Sequence, residues 1–128
     1  INDKSCKYLK DILTESSNYD AFFINEGQFF GDLYESVNYL VNIKNKKVYV
    51  CGLDGDFQRR EFGSILKIVP LCDDVVKLKA ICNGCKIRDG IFTFRLTDEK
   101  EQMLVGTTNY TALCRNCYNV RKNPEENV

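Results

Sequence analysis

The chain has 128 residues, carries 18 Lys plus Arg against 18 Asp plus Glu, and is 44% hydrophobic. That length and composition suit one core with a small appendage and exclude a disordered chain, while zero net charge argues against a nucleic-acid partner. No apolar stretch reaches bilayer-spanning length and no signal-peptide pattern is visible, so no membrane association is expected; the absence of histidine removes imidazole from both catalysis and metal ligation.

Residues 5–15, SCKYLKDILTE, place Cys6, Leu9, Ile12 and Leu13 at helical spacing and predict an amphipathic helix. YDAFFI (19–24) reads as a short buried strand. It runs into Asn25, the lone carboxylate Glu26 and a glycine, an exit that suits a strand ending at a reactive edge and equally suits an ordinary turn. Asp32 and Glu35 stand at capping-box spacing before Leu33, Val37, Leu40 and Val41, a second amphipathic helix. NIKNKK makes a turn and VYVCGL (48–53) a second buried strand. Helix, strand, helix, strand is the grammar of a parallel sheet covered by helices. FGSILKIVPL (62–71) predicts a short helix stopped near Pro70, and DVVKLKAI (74–81) a third strand near a sheet edge, with Val76, Leu78 and Ala80 on one face. From Cys82 the style changes: GIFTFRL (90–96) and EQMLVG (101–106) suggest a hairpin-based unit, and the polar residues after Tyr118 a loose tail. The expected division is therefore an α/β core over 1–80, a small metal-binding unit over 81–118 and a flexible tail over 119–128.

Seven cysteines fit a disulfide framework poorly. Cys6, Cys51 and Cys72 are isolated in partly apolar surroundings, the setting of buried structural thiols, and a reducing, cytoplasmic compartment is the better reading. In such a compartment the glycosylation-like Asn109-Tyr110-Thr111 is a chance match. The other four form CNGC and CRNC, with 28 residues between Cys85 and Cys114. Each pair can offer two thiolates from one tight turn, so Cys82, Cys85, Cys114 and Cys117 predict a tetrahedral zinc (Zn2+) site. Four protein ligands leave no open position, which makes that zinc structural. The competing readings are two redox motifs or four unrelated thiols; a redox CxxC opens a helix in a thioredoxin-like fold, a context neither pair shows.

FFINEGQFF, VCGLDGDFQRREFGSILKIVPLCDDVVKLKAIC, CNGC and YTALCRNCY, in this order and at these separations, resemble the zinc-containing (type II) thymidine kinases from about Phe22 to Tyr118. The resemblance implies a P-loop-kinase-type parallel sheet with flanking helices, plus a four-cysteine zinc-ribbon subdomain carrying a lasso loop. It implies ATP-dependent phosphorylation of the 5′-hydroxyl of thymidine, and of deoxyuridine, to give the monophosphate in nucleotide salvage. By motif position Glu26 is the general base toward that hydroxyl. Phe29, Leu53, Phe57 and Phe62 line the thymine pocket, Thr93 faces the base, and a lasso from about Thr97 to Tyr110 binds it through backbone groups. Val105 and Gly106 are the lasso contacts, and Tyr110 closes over the nucleoside. Magnesium (Mg2+) accompanies ATP, thymidine triphosphate (dTTP) is a feedback inhibitor, and the family assembles as a homotetramer.

Two departures stand out. Asn25 occupies a position where the family usually has a magnesium-side aspartate; asparagine keeps an oxygen acceptor and loses the charge, so metal affinity should fall. No GxxxxGK[ST] phosphate loop occurs in residues 1–128, and the chain starts at Ile1. Both facts point to the C-terminal part of a longer kinase whose first strand and phosphate loop lie upstream, and these residues alone are then expected to be inactive. The alternatives are a zinc-ribbon binding module and a catalytically inactive kinase relative.

Overall fold

The computed structural model describes residues 3–98, 100–103 and 109–122, and the fold divides into two units. One takes the chain up to Asp54 and Glu61–Val75; the other takes Gly55–Arg60 and the chain from Val76 onward. Gly55–Arg60, which the sequence assigns to the α/β core, thus packs with the second unit.

In the first unit β1 (Ala21–Ile24) and β2 (Lys47–Val50) pair in parallel, Ala21 opposite Lys47 and Ile24 opposite Val50. Parallel strands need a crossover, and α2 (Leu33–Asn38), extended by a wider π turn over Tyr39–Ile43, supplies it. Leu9, Ile24, Leu33, Val37 and Ile68 form the core, with Val48, Val50 and Ile65 packed against it. This is the mixed α/β arrangement expected, and among the described residues its parallel sheet has two strands. The opposite sheet face carries Phe23 and Tyr49, exposed and stacked with ring centroids 4.8 Å apart.

The first helix is one turn, α1 (Lys10–Leu13), because its start is set from outside the local sequence. The Asp32 carboxylate accepts the backbone N–H groups of Leu9 at 3.0 Å and Lys10 at 2.8 Å. Those are the orphan donors of a helix N-terminus. Asp32 does not cap α2 with its side chain, contrary to the capping-box expectation; its backbone carbonyl accepts from Ser36 N and its carboxylate from Ser36 Oγ. The predicted third helix is a 3-10 helix, Leu66–Leu71, which contains Pro70. It ends one residue past Pro70, as expected, and proline's fixed φ fits that tighter helix.

Residues 74–79 form no strand, a correction to the sequence expectation. Alternation supplies a sticky face, but a strand also needs a partner edge in register, and Val76 and Leu78 are left exposed. Only β3 (Ala80–Ile81) pairs, antiparallel to β4 (Asp89–Gly90). In the second unit β5 (Phe92–Arg95) pairs antiparallel with β6 (Tyr110–Leu113), Phe92 opposite Leu113 and Arg95 opposite Tyr110. The hairpin partner is therefore YTAL and not EQMLVG, of which 101–103 are not strand. α3 (Arg115–Lys122) carries helix four residues into the segment read as a loose tail. Cys82, Leu113, Cys114 and Tyr118 make the core of this unit. Cys51 and Cys72 are exposed and Cys6 half-buried, so the isolated cysteines are not the buried thiols expected.

Burial pushes the Asp32 carboxyl up, but the N–H groups of Lys10, Leu9 and Asp32 itself, with the Ser36 hydroxyl, outweigh it and hold the group below its usual range. A depressed folded-state pKa stabilises above the unfolded value, about 3.9, and the gain is lost as pH falls through the folded value. Asp32→Ala should therefore cost about 1 kcal/mol at neutral pH, and urea titrations should show the gap to the parent chain closing below about pH 4. A gap independent of pH would contradict this role.

Candidate functional site

The C-terminal edge of a parallel strand pair is where open α/β sheets bind ligands. Here the ladder runs one step beyond the strands: Cys51 N donates to the Ile24 carbonyl at 3.0 Å and Gly27 N to the Cys51 carbonyl at 2.9 Å. Between them the chain reverses through Glu26, whose φ of 55° and ψ of 49° lie in the left-handed region. That region costs a non-glycine residue about 1–2 kcal/mol, and such outliers collect at functional sites. The reversal opens a short 3-10 turn, Gly27–Phe29, and leaves Asn25 and Glu26 exposed at the edge. A side chain at Gly27 would meet Val50 Cγ1 at 2.7 Å, so only glycine lets the turn sit down on β2.

Gln28 organises this edge, and nothing in the sequence reading singled it out. It is 2% exposed; its Nε2 donates to Glu26 Oε2 at 2.6 Å and its Oε1 accepts from Leu53 N at 3.1 Å. Phe29 and the buried Phe62 meet edge to face, centroids 5.6 Å apart, and Phe62 N donates to the Asp54 carbonyl. The structure thus gathers Glu26, Phe29, Leu53 and Phe62 in the first unit. Asn25 Oδ1 accepts from the Cys51 thiol at 3.2 Å.

Phe57, Thr93 and Tyr110 fall in the second unit. The Arg95 guanidinium lies 3.8 Å from the Phe57 ring centroid and donates to Tyr110 Oη at 3.0 Å and to the Gln102 carbonyl at 3.3 Å, as well as to the Glu101 carbonyl. Gln102 Nε2 donates to Asp56 Oδ2 at 2.8 Å. Thr93 faces Ala112 across the ribbon. Val105 and Gly106 lie outside the described residues. Arg95 was missed by the sequence reading, although a lone charge alternating with Phe92 and Phe94 was a usable signal.

The Sγ atoms of Cys82, Cys85, Cys114 and Cys117 lie within 4.8 Å of one another. Four thiolates about 2.3 Å from one ion would sit closer still, so a zinc-like metal fits with little movement. Each turn is tuned to hold thiolates: Gly84 N donates to Cys82 Sγ at 3.3 Å, Arg88 N to Cys85 Sγ at 3.5 Å and Cys117 N to Cys114 Sγ at 3.4 Å. A Cβ on Gly84 would stand 2.9 Å from Cys117 Sγ, so the knuckle admits no larger residue without a shift. Burial pushes the Cys82 thiol up, yet the N–H groups of Cys114, Cys85 and Gly84 bring it down to about 6. The half-buried Cys117, hydrogen-bonded to Cys114 and partly desolvated, is pushed up to about 12. Thiols this close share protons as one set, which a metal would displace.

The family model described as thymidine kinase matches residues 1–118. The chain is 39% identical over 115 residues to a thymidine kinase of Sheeppox virus (89% of this chain, 64% of that protein). It is 43% identical over 111 residues to a cytosolic thymidine kinase of Homo sapiens (86% and 47%). It is 42% identical over 119 residues to that of Gallus gallus (92% and 52%). The chain therefore spans less than two thirds of the length of each of these relatives.

Purified under reducing conditions, the chain should carry about one zinc. Cys114→Ser or a chelator should take the metal content toward zero and collapse the near-ultraviolet tyrosine signal of Tyr118, and acidification should release the metal as the thiolates take up protons. Full tyrosine ellipticity in the metal-free chain would rule out a structural role.

Proposed function

Because the chain belongs to the thymidine kinase family, we propose that it carries the nucleoside side of an ATP-dependent kinase. The kinase phosphorylates the 5′-hydroxyl of thymidine, and of deoxyuridine, to give the monophosphate. The observation that carries this reading is Glu26: a carboxylate at the C-terminal edge of the parallel pair, hydrogen-bonded by a buried amide, with Phe29, Leu53 and Phe62 in the same unit. Aromatic and aliphatic walls suit a thymine ring with two flat faces and a methyl group. Glu26 takes the hydroxyl proton as the oxygen attacks the γ-phosphorus of ATP and the bond to the β-phosphate oxygen breaks. In the second unit Phe57, Thr93 and Tyr110 are read as further thymidine-binding residues, as are Val105 and Gly106, which lie outside the described residues.

Magnesium bound with ATP would neutralise charge on the transferred phosphoryl group, and Asn25 offers it an oxygen without a charge. The four cysteines would hold a structural zinc that ties the turn between β3 and β4 to the start of α3. The sheet is read as part of a larger P-loop-type sheet, the assembly as a homotetramer inhibited by thymidine triphosphate, and the location as cytoplasmic, in keeping with relatives named cytosolic. No helix among the described residues is long and apolar enough to cross a membrane. A second reading, an inactive kinase relative, draws on Asn25, whose Oδ1 is already engaged by the Cys51 thiol.

Two measurements on the protein as its source encodes it decide between them. Glu26→Gln should lower kcat by about 10²–10⁴-fold while thymidine still raises the melting temperature; a parent protein without turnover would favour the inactive relative. Asn25→Asp should lower the magnesium concentration that gives half-maximal rate, and an unchanged magnesium titration would count against Asn25 as a metal-side residue.

A further inference from the structure

We propose that Gln28 is a positioning residue for the Glu26 carboxylate, fixing which of its oxygens faces the acceptor hydroxyl. The inference rests on the reading of Glu26 as general base. An exposed glutamate in a turn samples many rotamers, and orientation at the reacting atom is what a base must have. Gln28 removes that freedom from below. Its Nε2–H donates to Glu26 Oε2 at 2.6 Å, so Oε1 is the oxygen outside that bond.

The amide cannot swivel, because its own Oε1 is held by Leu53 N from the end of β2. Nor can it retreat. A Cβ on Gly52 would lie 2.4 Å from Gln28 Oε1, and one on Gly63 would lie 2.3 Å from the Gln28 carbonyl oxygen. Gly63 also sits at φ +58°, open to glycine. Gly52 thus keeps open the space the side-chain amide occupies, and Gly63 the space of the Gln28 backbone. The second bond satisfies the buried Nε2 donor by way of a carboxylate that is otherwise exposed, so the same bond that serves the fold also fixes the Glu26 side chain.

Three variants of the protein as its source encodes it test this, with thymidine and ATP as substrates. Gln28→Glu keeps shape and an acceptor for Leu53 N but sets two carboxyl groups in hydrogen-bond contact, where they share one proton. The acidic limb of its kcat profile should move up by about one pH unit or more, with KM for thymidine within about twofold and rate recovered on the alkaline side. Cys51 adds a titratable thiol to the same edge, so the profile is run in a Cys51→Ser background. Gln28→Met should lower kcat about ten- to a hundredfold at unchanged KM, and added to Glu26→Gln it should cost almost nothing more. If Gln28→Met fails to fold, the Gln28→Glu profile decides alone.

An unmoved profile in Gln28→Glu, or a Gln28→Met protein that loses only melting temperature or thymidine affinity, overturns the positioning role while Glu26 stands as the base. Full kcat in Glu26→Gln removes the base itself, and the inference with it.

Discussion

A parallel strand pair ends with bare carbonyl and N–H groups at one edge, and every use of that edge depends on how they are satisfied. Two backbone bonds extend the ladder between β1 and β2, and the buried Gln28 amide completes it by taking Leu53 N. Left unpaired in that position, the amide would cost about 1–3 kcal/mol. With the edge closed, the chain can hold Glu26 in a left-handed turn that its own preference would avoid. The strain is local, and the core of Ile24, Leu33 and Val37 beneath it supplies the opposing stability.

The second unit solves a different problem. Among the described residues its core cluster holds four buried side chains, two of them cysteines, too few apolar groups to carry a fold of that size unaided. Four thiols close enough to share a metal make the missing centre. Tyr118, one helical turn past Cys114, fills the space between Phe92 and Phe94 and donates its hydroxyl to the Phe57 carbonyl. Arg59 lies 4.3 Å from the Tyr118 ring centroid and donates to Asn119 Oδ1 at 2.8 Å. These contacts are why Gly55–Arg60 leaves the unit that flanks it in sequence: the aromatic ring and the guanidinium find their partners around α3.

Where the sequence was legible, the residues answered local rules. Ala21–Ile24 and Lys47–Val50 formed strands as their apolar runs required, and Leu33 and Val37 turned one helical face to the core. The cysteine spacing forecast the cluster because a knuckle is made by a tight turn, and tight turns are short-range objects. The misreadings share one cause. Asp32 stands where a capping box would use it, yet its carboxylate serves α1, 22 and 23 residues upstream. Residues 74–79 alternate like a strand and find no edge to join. Tyr110–Leu113 took the hairpin position assigned to a nearer segment, since register with Phe92–Arg95 decides pairing and proximity in sequence does not.

From its residues alone this chain could establish an α/β character, a four-thiol cluster and a carboxylate at a strand exit, because each follows from periodicity or spacing over a few positions. The pairing of β1 with β2, the transfer of residues 55–60 to the second unit and the grip of Gln28 on Glu26 could be decided only in three dimensions. Each of these depends on groups brought together by burial, and a buried amide or aromatic ring seeks its partner through space, whatever the distance along the chain.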